Sequence, residues 1–259
     1  MIRSGLMALA LGLTALPVLT LPAAAQDAPA QTGVPGLDRD ALRAEIRAYL
    51  LDNPEVIYEA IQELEKRRKA ASASAEQNLV RDNAAALFDD GYSNVDGNPD
   101  GKLTLVEFFD YRCGYCKRAH DDVQKLVRED GDIRFIRKEF PILGPDSLLA
   151  SRAALAAQLQ GDPEVYLAFS NAMMEFGGPL TDTTIDRLAD RAGVDVERMH
   201  AEMESDEVNR RLQSNHALAQ ALQIGGTPTF IIGETIVRGY LPYEDMARAI
   251  DDAHATLQD

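Results

Sequence analysis

Two cysteines, Cys113 and Cys116, are the only cysteines in the 259-residue chain, and two residues separate them. Thiol–disulfide exchange needs one thiolate that attacks and a second thiol that releases the mixed disulfide. At the start of a helix, free backbone N–H groups and the helix dipole favour the anion of Cys113. Cys116 lies one turn further on, where a resolving thiol is needed. The pair therefore predicts redox chemistry at sulfur.

Two other roles are open to a C-x-x-C pair, a structural disulfide and half of a metal site. A structural disulfide stabilises a fold by closing a long loop, whereas the loop between these cysteines is minimal. A zinc site needs further soft ligands, and only His120 follows Cys116 at helical spacing. We therefore expect no resident metal and no cofactor. Metal binding through Cys113, Cys116 and His120 stays as the alternative from another functional class.

Glu107 is the one charged residue in the apolar run 103–109, and it precedes Cys113 by six residues. A buried carboxylate is costly unless it has a partner or a proton. The flanking residues suggest a strand that is buried on both faces, with Arg137 or Lys138 on the next strand as ion partner. The alternative is an edge position at which Glu107 faces water.

The elements around the cysteines have the spacing of a βαβ unit. An apolar strand at 103–109 is followed by a helix at 116–129 and an alternating strand at 133–138. A short edge strand is predicted at 92–95. Further along, caps and glycines predict a helical block at about 147–205, a long helix from residue 206, a hairpin with strands at 229–232 and 235–238, and a helix at 243–257.

This order of elements resembles the thioredoxin fold as elaborated in the DsbA family of extracytoplasmic thiol–disulfide oxidoreductases. The resemblance extends from about residue 92 to the C-terminus. It is carried by F-F-D-Y-R-C-G-Y-C at 108–116, K-E-F-P-I-L-G at 138–144 and G-T-P-T-F at 226–230. It implies an α/β thioredoxin fold with an inserted helical domain at about 147–205.

The resemblance also implies roles for individual residues. Cys113 would be the nucleophile and Cys116 the resolving thiol, with Glu107 a buried acid that tunes them and aids proton transfer. Pro228 matches the cis-proline that faces the cysteines in thioredoxin folds. Thr227, before it, would present backbone groups to an extended substrate in β-like pairing, and its hydroxyl would be near the sulfur of Cys113.

Two positions bear on the direction of the redox reaction. Gly114 and Tyr115, predicted to contact substrate, lack the His that DsbA has between its cysteines, so this dipeptide gives no reason to expect a strongly lowered thiol pKa. Thr227 resembles the isomerase-type members of the family, whereas DsbA has Val before its cis-proline. The direction that these features favour is isomerase or reductase.

The N-terminal residues predict export and an appended arm. Residues 1–25 have the features of a signal peptide, with Arg3, an apolar stretch at 6–21 and Ala23-Ala24-Ala25. An uncleaved anchor is the alternative, although the stretch is shorter than the roughly 20 residues that span a membrane. Residues 26–75 are expected to form a leader and a helical oligomerisation arm, and 76–259 the thioredoxin domain.

The arm carries apolar residues at helical spacing on two short helices, the second of which starts near Asn53-Pro54. It resembles the N-terminal region of the suppressor-of-copper-sensitivity C (ScsC) branch, which implies a homo-oligomer, as a trimer in some members. The Ala/Ser stretch at 70–75 is either helix or pliable linker.

The formal net charge of −16 argues against a nucleic-acid partner, which needs a surplus of Lys and Arg. Residues 96–107 match an EF-hand calcium loop, but an EF-hand needs a helix on each side. Here a turn leads into a strand, so we expect no calcium site.

Together these features predict a periplasmic or secreted thiol–disulfide oxidoreductase that acts on protein substrates with cysteines. A membrane redox partner similar to DsbD or ScsB, or to DsbB, would set its redox state. A DsbA-like dithiol oxidase that introduces disulfides is the nearest alternative. A periplasmic copper-binding tolerance protein is the alternative from another class.

Overall fold

The computed structural model of the chain describes residues 38–257. The predicted signal peptide (1–25) and leader (26–36) lie outside the described residues. The chain forms two compact units, one that ends at Ala60 and one that begins at Ile61. The division falls within a single long helix.

The N-terminal unit begins with α1 (Arg39–Asp52), where the Asp38 carboxylate caps the helix by accepting from two backbone N–H groups. The next helix, α2 (Glu55–Asp82), starts just after the predicted Asn53-Pro54 signal. The Ala/Ser stretch at 70–75 is therefore helix and not linker. No residue of α1 is buried, although the helix has apolar residues at helical spacing.

The second unit is built on a five-stranded sheet in the order β1-β3-β2-β4-β5. The strands β2 and β3 pair in parallel, and every other neighbouring pair is antiparallel. The apolar run that carries Glu107 is the central strand, as expected of residues that are buried on both faces. The strands are β1 (Val95–Gly97), β2 (Leu103–Phe109), β3 (Ile133–Glu139), β4 (Thr229–Ile232) and β5 (Thr235–Arg238).

The predicted edge strand at 92–95 is misplaced, because β1 occupies Val95–Gly97. The Asp90 carboxylate accepts hydrogen bonds from the backbone N–H groups of Tyr92 at 3.1 Å and Ser93 at 2.8 Å. Their main-chain donors are thus used in a turn, and pairing with β3 starts only afterwards.

Helices cover both faces of the sheet. The helix α4 (Gly114–Asp130) joins β2 to β3, completes the βαβ unit and ends at Gly131, whose φ of 71° suits a residue without a side chain. It shares one apolar core with α10 (Tyr243–Thr256). The other face packs against α3 (Ala84–Phe88), the C-terminal part of α2, and α9 (Asp206–Ala221).

The predicted helical block lies between β3 and α9 and has a core of its own. This core continues to Phe109, Cys113 and Cys116, so the block packs at the end of the sheet that carries the cysteines. Its helices are α5 (Pro145–Gln158), α6 (Pro163–Glu175), α7 (Asp182–Ala192) and α8 (Val196–Glu202).

The segment that matches a calcium loop, 96–107, is flanked by strands β1 and β2 where an EF-hand has helices. The Asp96 carboxylate accepts a hydrogen bond from the Gln124 amide at 3.2 Å, and Glu107 lies in the middle of β2. This segment is a strand connection.

Candidate active site

Cys113 lies at the junction of β2 and α4, where the chain changes from extended to helical. Its φ of −72° and ψ of 114° make it the N-cap residue, and its sulfur accepts from the backbone N–H of Cys116 at 3.4 Å. Both cysteines are free thiols, and Cys113 is 6% exposed whereas Cys116 is fully buried. The reachable sulfur is therefore the first of the pair.

The pKa of Cys113 is lowered to about 5, mainly by the hydrogen bond with the Cys116 thiol. The Thr227 hydroxyl and the backbone N–H groups of Cys116 and Tyr115 add to this stabilisation, while partial burial opposes it. At neutral pH Cys113 is a thiolate. The lowering arises without a His between the cysteines, so the dipeptide alone was a poor guide to this pKa.

The pKa of Cys116 moves in the opposite direction and lies well above its usual range. The hydrogen bond with Cys113 is the largest cause, followed by burial and by the charge of Glu107. Cys116 is therefore a neutral thiol that donates to the Cys113 thiolate. One sulfur is ready to attack and the other keeps its proton.

Thr227 and Pro228 lie across from Cys113, although they are distant in sequence. The Thr227–Pro228 peptide bond is cis, Pro228 is buried and Thr227 is half-buried. The Cys113 sulfur lies 3.2 Å from the carbonyl oxygen of Thr227, to which it donates a hydrogen bond only when Cys113 is protonated. The hydroxyl of Thr229 donates to the Gly226 carbonyl at 2.8 Å, which holds the turn where β4 begins.

Glu107 is 4% exposed in the central strand, so the edge alternative is wrong. Burial raises its pKa to about 7, the positive charge of Arg137 lowers it, and the negative charge of Cys113 raises it again. Within residues 38–257, no group donates a hydrogen bond to this carboxylate. Glu107 is thus poised to exchange a proton near neutral pH.

Of the two basic residues predicted to pair with Glu107, the neighbour is Arg137. The register places Arg137 directly opposite Glu107 in the β2–β3 pair, and side chains paired in this way lie on the same face. Lys138 lies on the other face, where its ammonium bonds to Asp90 at 2.5 Å. The Arg137 guanidinium is 3% exposed and faces the rings of Phe109 and Phe135, each at 6.0 Å.

Gly114 and Tyr115 are exposed, and the Tyr115 ring forms part of a ledge beside Cys113. The ring stacks on Tyr240 with centroids 6.4 Å apart, and the Arg118 guanidinium lies 5.2 Å and 5.9 Å from the two rings. We call Tyr115, Arg118 and Tyr240 the aromatic ledge. Sequence reasoning missed Arg118 and Tyr240, because nothing in the chain order joins the loop before α10 to the cysteines.

Asp110 is a third residue that sequence reasoning missed, although it lies within the motif at 108–116. It is fully buried, and its carboxylate accepts from the backbone N–H groups of Arg112 at 2.8 Å, Ile142 at 2.9 Å and Leu143 at 3.1 Å. It thereby joins the loop before Cys113 to the loop after β3. A charged residue at the end of a buried strand was the available signal.

Lys117, directly after Cys116, ties α4 to the helical block. Its ammonium donates to the carbonyl oxygens of Met173 at 3.1 Å, Met174 at 2.9 Å and Phe176 at 2.8 Å. These carbonyls lie at the C-terminal end of α6, where a cation complements the helix dipole. Burial lowers the pKa of Lys117.

Glu139, at the end of β3, forms the third buried polar cluster near the cysteines. Its carboxylate accepts from the hydroxyls of Tyr111 at 2.8 Å, Ser151 at 2.8 Å and Tyr166 at 3.2 Å. Burial raises the pKa of Glu139 to about 7 despite these bonds. The cluster joins the sheet to α5 and α6.

Two family models match the chain. The model described as "DSBA-like thioredoxin domain" matches residues 104–251, and the model described as "Copper resistance protein ScsC N-terminal domain" matches residues 38–71. The first spans the βαβ unit, the helical block and the hairpin. The second spans α1 and much of α2.

Solved structures give the same likeness. A thioredoxin-like oxidoreductase from Silicibacter pomeroyi is 42% identical, with 66% of this chain and 97% of that chain covered at a TM-score of 0.62. The catalytic domain of Proteus mirabilis ScsC is 30% identical, with 69% and 98% covered at 0.64. A periplasmic thioredoxin-like protein from Salmonella enterica is 30% identical, with 66% and 95% covered at 0.59.

Curated relatives add a partial match. The Na⁺/H⁺ antiporter NhaA of Herminiimonas arsenicoxydans is 32% identical over 147 residues, which cover 56% of this chain and 23% of the antiporter. Antiporter NhaA 1 of Mycolicibacterium gilvum is 28% identical over 163 residues, 61% of this chain and 26% of the antiporter. The chain thus spans about a quarter of the length of these relatives. In the part of the chain that the structure describes, none of the helices has the length and apolarity that crossing a membrane requires.

Proposed function

Because the chain belongs to the DsbA-like thioredoxin family of thiol–disulfide oxidoreductases, we propose that it exchanges disulfides of protein substrates through Cys113 and Cys116. The observation that carries the proposal is the N-cap position of Cys113, with a pKa lowered to about 5 and Thr227 opposite. A thiolate at neutral pH is the nucleophile that this reaction needs.

In the first step the Cys113 thiolate attacks one sulfur of a client disulfide. The client S–S bond breaks, a Cys113–client disulfide forms, and the second client sulfur leaves as a thiolate. In an isomerase cycle a client thiolate then attacks the mixed disulfide and regenerates the Cys113 thiolate. In a reductase cycle the Cys116 thiolate attacks the Cys113 sulfur instead; the Cys113–client bond breaks, the client sulfur leaves as a thiolate, and a Cys113–Cys116 disulfide remains, so the client has gained two electrons.

Cys116 must lose its proton before it attacks, and Glu107 is the proposed acceptor. Its carboxylate is buried, its pKa lies near neutrality, and its charge acts on Cys116. Once Cys113 is in a mixed disulfide, Cys116 no longer donates to a thiolate, and its pKa falls toward that of the acceptor. Transfer to Glu107 then removes the proton from a site that excludes water.

The direction that we propose is isomerase or reductase, as the sequence favours. An isomerase must keep Cys113 reduced and ionised, and the lowered pKa supports this state. The same stabilisation of the reduced form also makes the disulfide easier to give away, which favours a dithiol oxidase as the second candidate. The reduction potential decides between them.

Client recognition is proposed on the face that carries Thr227, Pro228, Gly114 and the aromatic ledge. We expect the backbone of Thr227 to pair with an extended client strand, and its 3.2 Å distance from the Cys113 sulfur supports this. The exposed ring of Tyr115, backed by the half-buried ring of Tyr240, offers rigid apolar area to the side chains that flank a client cysteine. Hence we expect the ledge to contribute to client affinity and not to the chemistry at sulfur.

We also propose an extracytoplasmic site of action, with residues 1–25 as signal peptide, 26–75 as leader and arm, and 76–259 as the catalytic domain. The relative from Salmonella enterica is described as periplasmic, which supports this compartment. A membrane redox protein similar to DsbD or ScsB would keep an isomerase reduced, and one similar to DsbB would keep an oxidase oxidised.

A second copy of this chain is the proposed partner of the arm. Within the N-terminal unit, Ile46 and Ile57 line a cleft of about 380 Å³, and they are 50% and 49% exposed. Apolar side chains at helical spacing on an unburied helix are typical of an interface. The match of residues 38–71 to the ScsC N-terminal domain supports an oligomer.

Refolding of scrambled ribonuclease by residues 26–259 tests the function. We expect Cys113→Ser to abolish isomerisation, and Cys116→Ser to accumulate the mixed disulfide with the client while part of the isomerisation persists. Titration of the Cys113–Cys116 pair against glutathione then gives the direction. Unchanged ribonuclease refolding by Cys113→Ser would contradict the proposal.

The alternative that the two thiols chiefly bind copper makes a different prediction for the same variants. Cys113→Ser would then lose Cu⁺ affinity, and the wild type would show no exchange activity with any protein disulfide. Activity in the ribonuclease assay counts against this alternative.

A further inference from the structure

His120 and Asp121 on α4 lie beside Glu175, the last residue of α6. One ligand atom from each of the three side chains lies within 4.8 Å of the other two. Among residues 38–257, this is the one group of three or more His, Cys, Asp or Glu side chains that converge in this way. Asp121 and Glu175 are far apart in sequence, so their spacing gives no metal-binding signal.

The imidazole of His120 is a second observation that points to a ligand. The side chain is 6% exposed, and no group in the described part of the chain hydrogen-bonds to its ring nitrogens. Buried polar groups almost always have a partner. A ring nitrogen with no hydrogen-bond partner can offer its lone pair to a metal ion, which the neutral imidazole commonly binds.

The two carboxylates of the group are not neutralised by other residues. Asp121 and Glu175 are exposed, and neither forms an ion pair with any residue between 38 and 257. Lys117, on the same helix, donates its three hydrogen bonds to the carbonyl oxygens at the end of α6.

The charges that act on His120 divide between the two signs. Arg137 and Lys117 are positive, whereas Asp121 and Asp96 are negative, and the carboxylate of Glu175 adds to the negative side.

We propose that His120, Asp121 and Glu175 bind one divalent first-row transition ion, with water completing the coordination. A neutral imidazole with two carboxylates suits Zn²⁺ and Cu²⁺, and Cu²⁺ binds more tightly at a given site of this kind. The ion would join α4, one turn beyond Cys116, to the end of α6. It is an accessory site next to the thiols and takes no part in the exchange chemistry.

The test separates this site from the cysteines. A chain of residues 26–259 with Cys113→Ser and Cys116→Ser is titrated with ZnCl₂ and with CuCl₂ by calorimetry, and the Cu²⁺ form is examined by electron paramagnetic resonance. We expect one ion per chain and a spectrum with coupling to one imidazole nitrogen. Glu175→Gln and His120→Asn should each weaken binding at least about tenfold, and His120→Asn should remove the nitrogen coupling.

The matched control is His200→Asn. His200 pairs with Asp186 at 2.7 Å on the surface, where no third ligand converges. The His200→Asn variant should bind Zn²⁺ and Cu²⁺ with unchanged affinity. Because Glu175 is exposed, its variant tests the site even if His120→Asn folds poorly. The proposal is overturned if the cysteine-free chain binds neither ion, or if Glu175→Gln binds both as tightly as its parent.

Discussion

The strand β2 and the helix α1 are both rich in apolar residues, but they use them in opposite ways. Six of the seven residues of β2 are buried, because β3 and β4 pair with its edges and helices cover both its faces. No residue of α1 is buried, and Leu42, Ile46 and Tyr49 are each more than two-fifths exposed. Contacts within the chain therefore explain why β2 is apolar. The apolar residues of α1 are not buried by contacts within the described residues, so another molecule is needed to explain them.

This difference assigns two properties, redox behaviour and association, to two regions of the chain. Around β2, the unusual residues are charged ones in an apolar setting, such as Glu107, Arg137 and Glu139, so variation there should alter proton affinity and redox behaviour. In α1 the unusual residues are apolar ones in water, so variation there should alter association.

The largest effect is expected in the arm. Ile46→Glu combined with Ile57→Glu replaces two apolar side chains of the cleft in the N-terminal unit by charged ones, which a partner copy would have to desolvate. We expect light scattering on residues 26–259 to change from an oligomer to a monomer. Thiol–disulfide exchange with small peptides should continue at the wild-type rate, since each chain has its own Cys113 and Cys116.

The matched control for the arm is Leu257→Glu, which also replaces an exposed apolar residue by a charge, at the end of the last helix. It should leave the mass unchanged. If wild type and double variant have the same mass, the exposed apolar residues of α1 serve something other than self-association.

The contrast also shows what sequence can predict. The bounds of β2 and of the hairpin strands β4 and β5 agree with those predicted, because short apolar runs between turn residues define strands locally. The edge strand was misplaced because a side chain, Asp90, takes the main-chain donors there.

The site shows the same limit. Motifs predicted Cys113, Cys116, Thr227 and Pro228 as site residues, and the structure brings these residues together. The cluster around Glu139 and the aromatic ledge depend instead on tertiary contacts between segments that no local pattern connects. The sequence shows that charged residues interrupt the buried strands, but it does not show which of them lie beside the thiols.

The second prediction concerns Glu107→Gln. If Glu107 accepts the proton of Cys116, attack by Cys113 should stay near the wild-type rate, whereas resolution of the mixed disulfide should slow by roughly 10²-fold. Stopped-flow kinetics with a fluorescent client disulfide separate the two steps. The mass in light scattering should not change.

Glu139→Gln is the matched control for this step, because Glu139 is equally buried with a similarly raised pKa, yet it bonds to Tyr111, Ser151 and Tyr166 and not to the cysteines. If resolution of the mixed disulfide slowed equally in both variants, the rate would depend on any buried carboxylate and not on Glu107 in particular. That result would contradict proton transfer to Glu107.

The smallest predicted effect is on stability and concerns Glu139 itself. Burial raises the pKa of Glu139 from its ordinary value of 4.5 to about 7, so the folded chain holds this proton to higher pH than the unfolded chain. The contribution of Glu139 to the free energy of unfolding is therefore greatest below about pH 4.5. It falls by about 1.4 kcal/mol for each pH unit between 4.5 and 7.

Urea unfolding at pH 4.5, 5.5 and 7, with the cysteines oxidised so that Cys113 does not titrate, measures this loss. Glu139→Gln should flatten the decline in the free energy of unfolding, since an amide cannot ionise, although the variant should lose about 1 kcal/mol at low pH through a weaker bond to Ser151. The exposed Glu65→Gln on α2 should reproduce the wild-type slope. If the free energy of unfolding of Glu139→Gln fell as steeply with pH as that of the wild type, Glu139 would not be the group that titrates. Glu107 would then be the next residue to test, since burial raises its pKa to a similar value.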